Sequence, residues 1–371
     1  MELINATRMV AGYTMGMEPS GRELLVIVIK GTFALPRNGS DRLHLAQEQM
    51  PLVMADTFSG EPGRSAPIHE VDFAPRKPRA DILISGSAYA PEGRPAPRVP
   101  VGLKVNGITK HFAVVGMRCW QVASTGVSVS EPIPFTRMPI SYDRAFGGVD
   151  NRHEDFAQHA AFLRNPVGTG FHRHLRSDWL DGALLPNTEE LNRPVTRPDG
   201  DYAPMAFGPI GRNWEPRYRY AGTYDQHWLD EHFPFLPPDF DERYYQAAPL
   251  DQQIAGPLGG QEVGLVNLTP DGRRSFRLPA FEAPVHLFPK KGEREDLQAT
   301  LDTLVLEPDL ERMMLTWRVA RPLKKNMFEI AQILVGKKGQ DWWQAREEVA
   351  FPLSVEPTAT TNPAPEPTPA G

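Results

Sequence analysis

Arg98–Trp120 reads RVPVGLKVNGITKHFAVVGMRCW, and its pattern decides the fold class. Val101, Leu103 and Val105 alternate, Asn106-Gly107 interrupts them, and Ile108 to Val115 return in apolar character. Side chains on a strand point to opposite faces in turn, so this spacing describes a half-buried strand followed by its partner. An Asn-Gly pair between two such runs favours a type I′ turn, because both central residues must take positive φ. The stretch reads as a β-hairpin.

The same grammar recurs. Leu24 to Ile29 (LLVIVI) is short and β-branched, which suits a strand buried on both faces, and Asp81 to Tyr89 (DILISGSAY) resembles it. Glu262 to Leu268 and Arg273 to Leu278 form a second hairpin around Pro270-Asp271-Gly272. Thr300 to Leu306 and Arg312 to Val319 form a third, joined by Glu307-Pro308-Asp309. The expectation is a mainly β protein of two β-sandwich-like halves, residues 1–140 and 256–352. Between them lies a long irregular, aromatic- and Pro-rich central segment, 141–255, containing short helices. Glu154 to Arg164 (EDFAQHAAFLR) places Phe156, Ala160, Ala161 and Leu163 on one helical face, and Asn165-Pro166 ends that predicted helix. Residues 353–371, rich in proline and without aromatics, are predicted to be a disordered tail.

A chain of 371 residues is long enough to bury a sizeable core. Its net charge of −6 argues against nucleic acid or an anionic membrane surface as partner. Met1-Glu2-Leu3 opens without a basic and apolar signal pattern, so the expected location is cytoplasmic. Cys119, the sole cysteine, excludes an intrachain disulfide and any multi-cysteine metal site, and reads as a buried, inert thiol at the end of a strand pattern.

Pro204 to Ile254 is crowded with Trp, Tyr, Phe, Pro, Gly and Arg, and no lysine occurs between Lys110 and Lys290. Arginine suits semi-buried pairing with carboxylates and stacking on rings, so this composition fits a rigid recognition surface. The motifs of serine hydrolases, zinc proteases and phosphate-binding loops are missing from the sequence. His172, His174 and Asp178 offer part of a metal site, though Arg173 and Arg176 beside them would repel a cation. Asp225, His227, Asp230, Glu231 and His232 offer a general acid and base or a divalent-ion site. The alternative is a short helix capped by Thr223 or Asp225, with Trp228 inward and Asp230 and Glu231 outward. No cofactor or metal is required by the reading adopted. Tyr142, Asp143, Arg144, Trp214, Trp228, Asp241 and Asp251 are expected to be architectural, with both tryptophans buried. Arg212, Arg217, Arg219, Tyr218 and Tyr220 are the candidate partner contacts. If the last four alternate on a strand, the two arginines share one face and the two tyrosines the other.

YDRAFGG at Tyr142–Gly148, NPVGTGF at Asn165–Phe171, LLPN at Leu184–Asn187, and then AFGPIGRNWEPR, AGTYDQHWL and PPDFDERYYQAAPLDQQ resemble the domain-of-unknown-function 2169 family. The likeness is strongest over residues 140–255, looser across the flanks and absent after Pro352. Ala206 stands where the family carries glycine, and Tyr244-Tyr245 where phenylalanines are commoner. The resemblance implies a type VI secretion adaptor or chaperone. It would bind an effector with a PAAR-like domain and help load it onto the VgrG spike. The alternative is a hydrolase or carbohydrate-active enzyme using Asp225, His227 and His232.

Overall fold

The Asn106-Gly107 turn is formed as its sequence dictates, with φ of 43° and 84°. It joins the antiparallel strands Arg98–Val105 and Ile108–Val115 in the register Val105 to Ile108. The computed structural model describes residues 1–37, 39 and 43–350, the last four by backbone alone. Among the described residues, 1–336 make one compact unit and 337–350 belong to a second. In the second, the helix Gln340–Ala350 sets Trp342 edge-on to Trp343 at 4.9 Å and Arg346 over the Trp342 ring. The predicted disordered tail lies outside the described residues.

The protein is mainly β, as expected. Its larger sheet runs in the order Glu2–Asn5, Ile330–Val335, Ala283–Pro289, Glu295–Glu307, Arg312–Pro322, Glu23–Ala34, Val10–Met17, with Ala80–Ile84 parallel to Glu295–Glu307. The second sheet runs Thr188–Glu189, Ile108–Val115, Arg98–Val105, Glu262–Val266, Arg273–Arg277. Each sheet therefore mixes strands from both ends of the chain. The division expected at 1–140 and 256–352 does not separate the sheets, because hydrophobic period marks a strand without naming its partner.

Glu23–Ala34 is buried on both faces. Leu25, Ile27 and Ile29 enter the main core with Val101, Leu103, Phe112, Leu265, Leu304 and Trp317, while Leu24, Val26 and Val28 pack beneath Leu52, Phe73 and Ala320. Burying such side chains contributes roughly 1.5–3 kcal/mol each. All three hairpins form, the third through a 3₁₀ turn at Pro308–Leu310. Asp81 to Tyr89 is two strands rather than one. It breaks at Ser85, whose N–H goes to Leu306 O, after which Gly86–Tyr89 pairs with Arg137–Ile140.

The central segment shares a second, small core with the strand before it, where Trp120 packs with Phe146, Leu180, Leu185, Val195 and Tyr202. Glu154 to Arg164 is not a helix. Asp155 caps a single 3₁₀ turn, Phe156–Gln158, and Ala160–Ala161 then pairs with Val149–Asp150, leaving Phe156 and Leu163 exposed. Cross-strand bonds to neighbours here outweigh local helical spacing. The YDRAFGG and NPVGTGF motifs meet: Phe146–Gly147 runs parallel to Thr169–Gly170, and buried Asn165 donates through Nδ2 to Tyr142 O and Phe146 O. Gly147 sits at φ 153°, where a Cβ would lie 2.1 Å from Asn165 O, so only glycine fits. Ala206 is fully buried and is not among the residues with left-handed backbone. Cys119 is only half-buried, its sulfur 3.6 Å from Ser130 Oγ, because the strand expected to enclose it ends before it.

Candidate binding surface

Trp214 and Arg217 anchor the Lys-free segment. Gly211 lets the chain fold back on the Trp214 indole, and the Tyr142 ring meets that indole edge-on at 5.2 Å. Trp214 is 2% exposed, in agreement with the expectation. The short helix Glu215–Tyr218, with Pro216 in its first turn, then carries Arg217 inward. There Arg217 donates to Ile210 O at 2.8 Å, to Tyr244 O at 2.8 Å and to Glu70 Oε1 at 2.5 Å. Arg212 meets the same Glu70 oxygen at 2.8 Å and Asp56 Oδ2 at 2.7 Å.

This network is a charge-balanced set of two arginines and two carboxylates, with Arg217 and Glu70 buried and Arg212 and Asp56 at its partly exposed edge. Burial by itself pushes the Asp56 carboxyl up, but Arg212, the Val71 N–H and the charge of Arg217 outweigh it and hold it below the ordinary value. Burial likewise opposes the Arg212 charge, and Glu70 and Asp56 reverse that and raise its pKa. Arg217 is thus an internal tie rather than a partner contact, and Arg212 is mostly committed to Asp56 and Glu70. The strand alternation expected for Arg217 to Tyr220 does not occur, since these residues form a helical turn. Arg217 is buried, Tyr218 is half exposed, and Arg219 and Arg243 cover the Tyr220 ring at 5.0 and 4.3 Å.

Other motif residues make hydrogen bonds and ion pairs within the body. Asp143 accepts from Ala66 N and Ser59 Oγ, Arg144 donates to Asn187 Oδ1, and Asp251 and Gln252 take the buried Lys110 ammonium. Asp241 caps the turn Glu242–Tyr245. His172 and His174 do not assemble a metal site with Asp178. The N–H groups of Arg173 and His174 both donate to Asp150, His174 Nε2 lies 2.9 Å from Gln158 O, and Asp178 pairs with Arg176.

Beyond this base the chain makes a closed excursion. Asp241 N donates to Tyr220 O, and Thr223 donates twice to Asp239, so the two limbs of the loop are clasped at its neck. Asp225 caps the helix Gln226–Glu231 through Trp228 N at 2.9 Å, as the sequence suggested. Trp228 is not inward. It is only half-buried, bonds Phe235 O through its indole N–H at 2.9 Å, and packs edge-on between Tyr224 and Phe233. The helix, under two turns long, has no buried residue, although Phe235 beyond it lies against Gly21 of the body. Around it Tyr224, Leu229, Phe233 and Phe235 face solvent, Phe233 at 64% exposure. Clustered exposed apolar side chains on a hydrogen-bonded loop mark an interaction site. His227, Glu231 and His232 lie on the same projection.

A second feature was missed by the sequence reading. On the outward face of the five-stranded sheet, Gly102 and Gly264 leave a trough of about 570 Å³ bordered by Pro100, Lys104, Val266 and Arg273. The available signal was glycine at outward positions of two adjacent strands.

No helix among the described residues is long and apolar enough to cross a membrane. No curated protein and no solved structure matches the chain. One family model does match, over residues 20–318, which takes in the five-stranded sheet, the central motifs and part of the larger sheet, but not its strands Glu2–Asn5, Val10–Met17 and Ile330–Val335. The chain belongs to that family, DUF2169, described as an uncharacterized protein conserved in bacteria.

Proposed function

We propose that this protein is a binding protein, an adaptor or chaperone, that engages its partner through the Tyr224–Phe235 projection. One observation carries the reading: four large apolar side chains are held toward solvent by a loop whose neck and helix cap are hydrogen-bonded. Such pre-ordering reduces the entropy lost on association, and aromatic anchors supply most of the contact energy. The segment between Arg219 and Arg243 carries Asp225, Asp230, Glu231, Asp239, Asp241 and Glu242 and no cation, so the complementary face is apolar with a basic rim.

Within the setting that the family resemblance implies, the partner is an effector carrying a PAAR-like domain. The adaptor covers its apolar surface and delivers it to VgrG. Co-expression with the PAAR-like protein encoded beside it is expected to raise that protein's soluble yield and give a co-eluting complex. Phe233→Ser with Tyr224→Ser abolishes both effects. Equal solubility and separate elution with wild-type adaptor sink the proposal.

The enzyme alternative assigned Asp225, His227 and His232 to catalysis. Asp225 spends one oxygen on the helix cap, and nothing in its placement favours that reading over binding.

A further inference from the structure

Two histidine groups lie in the central segment, and they differ in what their nitrogens do. His153, His159 and His174 are tied to the backbone: His153 Nδ1 accepts from Asp155 N, and ring nitrogens of His159 and His174 lie within 2.9 Å of carbonyl oxygens. His227 and His232 instead turn toward one another and toward Glu231. Their ring centroids are 5.4 Å apart at 86°, and His227 Nδ1 lies 3.8 Å from Glu231 Oε1. One donor atom from each of His227, Glu231 and His232 falls within 4.8 Å of the others.

The helix creates this convergence. Residues four apart lie one above the other on a helical face, which brings Glu231 over His227. His232 is the C-cap, where its backbone N–H still bonds Trp228 O and its ring swings back beside His227. We propose that His227, Glu231 and His232 form a binding site for a divalent transition-metal ion of the zinc class.

Two imidazoles and one carboxylate match the donors such ions prefer, whereas magnesium and calcium favour sites built from oxygen. Zinc–ligand bonds of about 2.0–2.2 Å need the donors somewhat closer together than they stand. Both His227 and Glu231 are exposed, so rotamer changes alone can close that gap. The surrounding carboxylates, with no Lys or Arg between Arg219 and Arg243, favour a cation electrostatically. Three protein ligands leave at least one coordination position open to water or to a donor from outside. The site stands independently of the adaptor reading, because the ion binds without a partner.

The test uses the full chain, stripped with chelator and titrated with zinc chloride in a calorimeter. One ion per chain is expected. His227→Ala or His232→Ala should weaken binding at least tenfold, and Glu231→Gln less. His111→Ala, on the outer face of the five-stranded sheet, and substitution of magnesium for zinc serve as controls: the first leaves uptake unchanged and the second gives none. Circular dichroism confirms that each variant is folded, and His232→Gln supplies a conservative replacement if alanine perturbs the cap. Unchanged stoichiometry and affinity in the His227→Ala, His232→Ala double variant, or no saturable zinc uptake by wild type, overturns the site. Neither result bears on the PAAR-like co-elution experiment, so the two proposals fail separately.

Discussion

The base around Arg217 and the loop around Trp228 are built from the same residue types, yet they use them in opposite ways. In the base, arginines and carboxylates are inside and Trp214 is sealed beneath Tyr142. In the loop, carboxylates and aromatics alike face water. What separates them is the supply of backbone partners. Ile210 O and Tyr244 O converge on one guanidinium in the base, so that a buried charge can be satisfied there. The loop directs its few backbone bonds to its own neck and cap, leaving its side chains for contact. Composition alone does not distinguish architecture from recognition.

The comparison breaks first at its extremes. Trp214→Ala is expected to cost about 3–5 kcal/mol of stability, the range for a buried tryptophan, which denaturant unfolding will read. A loss below about 1 kcal/mol would mean that the base is not a core. Arg217→Ala leaves Glu70 buried with only Arg212 to pair it, and about 3 kcal/mol is expected, at the low end for breaking a buried ion pair. Arg219→Ala, two residues on, should stay near zero. Equal effects at the two arginines would erase the distinction between inside and outside.

On the loop the signs reverse. Phe233→Ser should leave the melting temperature unchanged and cost about 2 kcal/mol or more of partner binding. The smallest effect concerns pH. The folded pKa of Asp56 is depressed, so its contribution is present above the ordinary value of about 4 and is lost as pH falls through the lowered value. Asp56→Asn should therefore flatten the decline of urea midpoints below about pH 4. An unaltered slope would show that the Arg212 pair does not couple to folding.

Much of the strand content was legible in the sequence. Asn106-Gly107 fixed its hairpin because few other residue pairs tolerate two positive φ angles, and LLVIVI announced burial on both faces. Partner choice was not legible: nothing in Lys30 or Thr316 states that they stand opposite each other. Glu154 to Arg164 and Arg217 to Tyr220 misled for one shared reason. A short run satisfies a period by chance, and distant groups such as Val149, Glu70 and Tyr244 then decide its conformation. The Asp225 cap could be read because capping is local. The exposure of Trp228 could not, because it depends on which distant surfaces the loop meets.

The placement of Glu23–Ala34 between Val10–Met17 and Arg312–Pro322 also bears on synthesis. One edge of this strand, whose middle is buried on both faces, waits for a partner made about 280 residues later. At about 5–20 residues per second, that wait is on the order of tens of seconds. Throughout it the nascent chain presents an unpaired, sticky strand edge, the feature that draws chaperones and seeds aggregation. A protein proposed to shield others is thus, while it emerges from the ribosome, in need of shielding itself.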